Sequence, residues 1–382
     1  MKNKTSLKHF LPVMLSFYIM GFVDIVGVAT GYIKNDFNLS NSTAQMLPFM
    51  VFIWFILVSI PTGVFQDRKG KKNTVNIGIL ITGLGLIIPF IQYSLITVII
   101  GFAVLGIGNT ILQVSANPLL LEISSKNTKA ANLSLSQFIK AIASMLGPII
   151  TTGLAIYTGN WKNIFLIYAI MSIIVAIWLN SVKIPESKSD KKPATLKSVV
   201  NLLKNKYIII MILAIFFVVG FDVTMNSSIA NFLKNKFSIS IESANFGISI
   251  YFAALMAGRF LGAFLLRILN TKKFLIISTL ITLIGLIGLI FSNNILLTRI
   301  LIFVSGFGFS NIFPIMFAII VERKPEYANE LSGLIILAVS GGAIIPPISG
   351  ILCDLFSATA SIIVLLACVA YISYASYYVI KN

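Results

Sequence analysis

Charge is what this sequence has least of. Asp, Glu, Lys and Arg together make up 11% of its 382 residues, where a soluble domain carries about 25%. So little charge cannot solvate the outside of a water-soluble fold of this length. Histidine is reduced to one residue, His9, and cysteine to two, Cys353 and Cys368. Neither a CxxC nor an HExxH metal pattern can be assembled, and the two cysteines read as apolar fillers rather than as a disulfide pair. A Walker A sequence is also missing, which excludes ATP hydrolysis by this motif. With no nucleophile–base pair and no metal set, the expectation is that the chain is not an enzyme and carries no cofactor.

Apolar residues fill the space that charge leaves. They make up 57% of the chain, and the mean hydropathy is +0.96. Apolar runs of helical length occur near 10–33, 44–66, 74–93, 95–121, 130–157 and 161–181, and again near 207–233, 243–266, 273–291, 295–321, 331–356 and 358–380. Each is long enough for a hydrocarbon core of ~30 Å. The expected fold is an all-α polytopic membrane protein with twelve transmembrane helices. Glycine and proline within the runs are compatible with this, since membrane helices tolerate both.

The twelve runs form two pseudo-repeats of six, related by 200 residues. Gly106-Ile107-Gly108 recurs as Gly306-Phe307-Gly308, and Glu122 as Glu322. Tyr32 to Ala44 realigns with Phe232 to Ala244, matching Lys34 with Lys234, Asn35 with Asn235, Phe37 with Phe237 and Ser40 with Ser240. One register serving such distant points signals duplication of a unit, an architecture common among secondary transporters. The expected domains are residues 1–182, a linker at 183–206 and residues 207–382. Pro185, Pro193 and seven lysines mark the linker, with a short amphipathic helix expected at 195–205.

A formal net charge of +17 is of the size a nucleic-acid binder carries, but its distribution points to the membrane. With both termini placed inside, 22 of the 29 basic residues fall in inner segments and five in outer ones. The positive-inside rule therefore predicts cytoplasmic termini, a plasma (inner) membrane location and some attraction to anionic lipid. No nucleic-acid partner and no cleavable signal peptide are expected. A monomer is the expected state.

Gly63-Val64-Phe65-Gln66-Asp67-Arg68-Lys69-Gly70-Lys71-Lys72 joins the second and third runs. It reads GxxxDRxGKK and resembles the cytoplasmic loop motif of the major facilitator superfamily. The resemblance implies a major facilitator fold and a gate role for Gly63, Asp67, Arg68, Gly70 and Lys71. Further elements are similar to the fucose permease and glucose/galactose transporter branch of that superfamily. They are Ala116-Asn117-Pro118 in the fourth run and Gly258-Arg259-Phe260 with Gly262 in the eighth. The eleventh adds Gly341-Gly342-Ala343-Ile344-Ile345-Pro346-Pro347, Gly350 and Asp354. The resemblance implies an alternating-access sugar carrier, usually proton-driven, with Asp24 where the branch has a functional acid. Two positions depart from the fucose permease: Gln113 replaces a proton-linked Glu, and Lys140 stands where an Asn follows Gln137.

Charges inside a bilayer are costly, so the few present are functional candidates. Asp24 lies near mid-depth of the first run and Lys140 near that of the fifth, and an Asp24–Lys140 pair would satisfy both. Asn109, Gln113 and Asn117 follow at helical spacing on one face, as do Gln137, Lys140 and Ser144. Two such stripes suit a hydroxyl-rich ligand. In the second half Asp222, Asn226, Tyr251 and Asn311 are added to the substrate-binding set, Arg259 is read as a gate residue, and Trp54, Phe138 and Phe309 as aromatics able to stack on a sugar. Asp24 is the expected proton-coupling residue. A carrier for another polar metabolite, sodium coupling and a non-transporting receptor are the competing readings.

Overall fold

In a computed structural model the structure describes residues 7–124, 129–184, 202–265, 270–324 and 328–381. Among these, twelve helices are long and apolar enough to cross a membrane, running from His9–Asp36 to Ala360–Val379. This is the multi-pass all-α fold that hydropathy predicts. The linker and its expected amphipathic helix fall largely on residues outside those described.

The chain groups into two compact units. The first holds Met1–Ile25 and Ile53–Pro193. Its elements are α1 (Leu7–Met20), a tight helical turn (Gly21–Asp24), α4 (Trp54–Lys69), α5 (Lys71–Ile91), α6 (Leu95–Ile123), α7 (Lys129–Thr158) and α8 (Asn163–Ser181). Phe17, Phe22, Phe102, Phe165 and Tyr168 are fully buried within it.

The second unit holds Val26–Phe52 and Ala194–Asn382. It starts with a hairpin, α2 (Ile25–Asp36) and α3 (Asn41–Phe52). There follow α9 (Lys206–Phe237), α10 (Ile241–Leu265), α11 (Thr271–Phe291), α12 (Ile295–Phe309), α13 (Ile312–Arg323), α14 (Ala328–Ala338), α15 (Gly341–Leu355) and α16 (Ala360–Lys381). The hairpin, although it belongs to the first two spans, is packed with the later helices.

The 200-residue repeat is physical as well as textual. Asn38 and Ser238 both take left-handed backbone, at φ 50 and φ 52, and each closes the turn before a helix starting at Asn41 or Ile241. In the first unit a methyl group on Gly85 would sit 2.4 Å from the Leu105 nitrogen, and one on Gly108 would sit 2.4 Å from the Thr82 nitrogen. In the second, Gly285 meets Ser305 and Gly308 meets Thr282 in the same way. All four contacts keep the 200-residue register. Small residues bring α5 against α6 and α11 against α12, as is usual where helices pack in lipid without a hydrophobic driving force between them.

Four spans are broken where the sequence shows continuous apolar runs. The first breaks at Gly21–Asp24, the second at Ile53, the tenth at Ser310–Asn311 and the eleventh at Val339–Ser340. The chain stays right-handed at Met20, Ile53 and Ser340, so these are interruptions of the regular α-helical bonding rather than gaps in the helix, and a polar group freed there must find a partner within the protein. The polar residues around two of these breaks supply one.

Candidate functional site

In the first unit the candidates converge on the turn that carries Asp24. The Asn109 amide of α6 donates to the Met20 carbonyl at 2.9 Å, immediately before the turn. Gln113 donates to Asn109 Oδ1 at 2.7 Å, and the Asn117 amide reaches the Gln113 carbonyl at 3.3 Å. From α7, the Ser144 hydroxyl donates to Asp24 Oδ2 at 2.5 Å and also lies 3.0 Å from the Lys140 carbonyl. A methyl group on Gly21 would come within 2.6 Å of that carbonyl, so glycine is what lets the turn seat on α7.

Two expectations change here. No Asp24–Lys140 ion pair is present among the described residues. The hydroxyl of Ser144, one turn beyond Lys140, meets the carboxylate instead. Asn109 is not placed as a ligand: it is 0% exposed, its amide is spent on Met20 and its carbonyl on Gln113. It satisfies the broken backbone. Gln113, Asn117, Gln137 and Lys140 are partly exposed and stay on the faces that helical spacing gives them. Tyr168 had no signal in the sequence. Its ring stacks on Phe22 at 3.7 Å between centroids, and its hydroxyl lies 3.3 Å from where a methyl on Gly147 would be.

The loop motif spans the junction of α4 and α5. Gly70 takes φ 86, backbone that favours glycine. Lys71 pairs with Glu122 near the end of α6, and Lys72 donates to the Asn180 carbonyl at 3.0 Å, at the end of α8. Two bases of the motif thus sit on C-terminal helix ends, where the helix dipole favours cations. The side chains of Asp67 and Arg68 lie outside what the structure describes. Gly63 has no steric reason to be glycine, since a methyl there would meet nothing within 4 Å.

In the second unit the Tyr251 hydroxyl donates to Asp222 Oδ1 at 2.6 Å, from a fully buried ring. One turn after Asp222, the amide of Asn226 lies against Gly27, where any methyl would come within 2.0 Å of it. Asn311 departs from the expected ligand role. It is buried, and its amide donates to the Gly258 carbonyl at 2.7 Å and lies 2.9 Å from Ser310 Oγ. A methyl on Gly262 would come within 2.4 Å of that amide, and Arg259 Nε donates to the Ser310 carbonyl at 3.4 Å. The glycine-arginine-phenylalanine element therefore clamps the break of the tenth span. Phe309 stacks on Phe221 at 4.2 Å, so packing occupies it. Asn245, which the sequence did not single out, buries both amide atoms without a partner.

The model of the Major Facilitator Superfamily matches residues 13–221 and 212–381. A protein named glucose/galactose transporter from Brucella abortus (strain 9-941) is 25% identical over 377 residues, covering 94% of this chain and 91% of its own. One named L-fucose-proton symporter from Haemophilus influenzae is 22% identical over 393 residues, covering 92% and 90%. The crystal structure of the E. coli fucose:proton symporter superposes with a TM-score of 0.73 over 98% of this chain and 99% of that one, at 15% identity, and so speaks for the fold.

Proposed function

Because the chain belongs to the Major Facilitator Superfamily, we propose that it is a secondary active carrier of a monosaccharide or similar polyhydroxy solute, proton-coupled and working by alternating access. Its relatives' names, glucose/galactose transporter and L-fucose-proton symporter, supply the substrate class. The observation that carries the reading is Asp24, a carboxylate in a broken helix at membrane depth, with hydrogen-bonding side chains of α6 and α7 around its turn.

The chemistry of coupling follows from Ser144. Its hydroxyl reaches two acceptors, the Asp24 carboxylate and the Lys140 carbonyl, and has one proton to give. While Asp24 is charged, donation to the carboxylate stabilises the charge. Once Asp24 takes a proton it becomes a donor itself, and Ser144 turns to the Lys140 carbonyl. Protonation thereby alters how the turn is held on α7, the link between proton and conformation that symport requires. Gln113, Asn117, Gln137, Lys140 and Asp222 are the partly exposed candidates and offer the donors and acceptors a sugar needs, while Tyr251 and Asn226 are buried and act behind them. Asn109 and Asn311 leave that set, since their amides hold the backbone.

The wider arrangement belongs to the same proposal. The six-helix halves at 1–182 and 207–382 are the moving bodies and 183–206 the cytoplasmic tether. The carrier sits as a monomer in the cell's inner membrane, both ends inside. Liposomes holding the purified protein should exchange labelled hexose against unlabelled hexose at equal pH, and accumulate it when a pH gradient is imposed in sodium-free buffer. Failure of every hexose to exchange would overturn the carrier reading. Accumulation only with a sodium gradient would overturn the proton.

A further inference from the structure

The α2–α3 hairpin, residues 26–52, lies packed on α15 of the same unit. Two glycines make room for it. A methyl on Gly350 would come within 2.7 Å of the Asn41 carbonyl, and one on Gly342 within 3.0 Å of the Phe52 ring. The two helices therefore run antiparallel along their lengths, with the start of α3 beside the end of α15.

At that end stands Asp354. Its Oδ1 accepts from the Asn41 backbone N–H at 2.8 Å and from the Asn41 amide at 2.7 Å, while Oδ2 accepts from the Ser42 N–H at 2.6 Å. These two N–H groups open α3 and have no partner within their own helix. Ser40 takes the next one, Thr43, through its own side chain at 3.1 Å. Asp354 thus caps a helix that is not its own, and its charge lies at the positive end of the α3 dipole.

A second layer ties the hairpin to α9. Lys34 Nζ donates to Asn41 Oδ1 at 2.5 Å and to Asn231 Oδ1 at 2.9 Å, and the Asn231 amide returns to Asn41 Oδ1 at 2.9 Å. Lys234 donates to Asn35 at 2.8 Å, and Gln45 bonds to Ser227 at 2.8 Å. The repeat does not predict this cluster. Two hundred residues away, Asp354 maps to Leu154, Asn41 to Ile241 and Asn231 to Gly31. The cluster is made once, at one end of one helix pair.

We propose that Asp354 is a positioning residue for the transport cycle, the latch that holds the hairpin on α15 and closes the membrane face where Lys34, Asn41 and Asn231 lie. The inference rests on the alternating-access reading: the first two spans can leave the later helices on that face only when Asp354 lets go of Asn41 and Ser42. The substrate enters or leaves by that face once the latch is open.

Spin labels test it. Cysteines are placed at the exposed positions Met46 and Phe356, with Cys353 and Cys368 replaced by alanine, and pulsed electron–electron distances are measured in lipid nanodiscs. The parent should give one short distance. Asp354→Ala removes three charge-assisted hydrogen bonds; it should add a longer distance and raise the open-to-closed ratio at least about tenfold, which is the size of one such bond alone. Asn41→Pro removes the N–H and the amide together while staying compatible with a helix start, and should do the same. The second variant decides the outcome if the first does not fold. Equilibrium sugar binding should survive in both while the rate of exchange changes. Distances identical to the parent in a folded variant would overturn the latch. Loss of exchange in the parent itself would overturn the carrier reading and leave the distance result standing.

Discussion

Asp24 and Asp222 are each held by a buried hydroxyl, from Ser144 and from Tyr251. Removing the charge at Asp24 mimics a permanently protonated site. Asp24→Asn should therefore abolish uphill accumulation under a pH gradient and keep exchange at equal pH, since exchange needs no net proton release. Undiminished accumulation would remove Asp24 from coupling. Tyr251→Phe should weaken sugar binding by about tenfold, the order of one hydrogen bond to a charged group, as read by isothermal titration. An unchanged affinity would take Asp222 out of the ligand set. At this scale the sequence is only half legible. Rarity singles out Asp24, Asp222 and Lys140, because intramembrane charge is costly wherever it sits. Rarity says nothing about which amides face a ligand. Asn109 and Asn311 look like ligands by spacing and prove to hold broken backbone, since the carbonyls they serve belong to breaks that no apolar run displays.

Helices in lipid gain nothing from apolar burial against one another, so contact between α5 and α6 depends on how closely their backbones approach. Gly85 and Gly108 set that distance. Gly85→Ala would drive a methyl into the Leu105 backbone, which cannot move aside as a side chain can, and should cost roughly 1–3 kcal/mol. Gly63→Ala offers the matched control. It too is a helical glycine, but its methyl would meet nothing within 4 Å, so stability should hold or rise by up to about 1 kcal/mol through helix propensity. Thermal unfolding of the purified protein, followed by tryptophan fluorescence or thiol exposure, ranks the two. Equal midpoints would contradict close packing at Gly85. The repeat had announced Gly108 as text, recurring with Gly106 at Gly308 and Gly306, but not Gly85. What text withholds is the partner. That Gly108 meets Thr82 and Gly308 meets Thr282 depends on which helices are neighbours. The same limit hid the seating of the hairpin on α15, because Asp354, Asn41 and Lys34 are remote in sequence and none is apolar enough to stand out or buried enough to be costly.

For the whole molecule, hydropathy alone displays the number of spans, because each must reach across the same hydrocarbon thickness and the chain has no other way to satisfy its backbone there. Orientation follows from a different property, the side on which the basic residues collect. The linker alone carries seven lysines between Lys183 and Lys206, and short basic segments resist transfer across the membrane. A reporter that matures only in the cytoplasm should therefore be active when inserted after Lys192 and when fused after Lys381. A cysteine at Gln92, between α5 and α6, should react in intact cells with a thiol reagent that cannot cross the membrane, while one at Lys183, after α8, should react only after permeabilisation. Gln92 and Lys183 are separated by three spans, α6, α7 and α8, and so must lie on opposite sides; finding both on one side would expose an inverted or missing span between them. A reporter active at Lys381 but silent after Lys192 would mean an odd number of crossings between the two, and would break the pairing of six helices with six. Both silent would turn the whole chain over and place the Asp354 latch on the cytoplasmic face instead of the outer one.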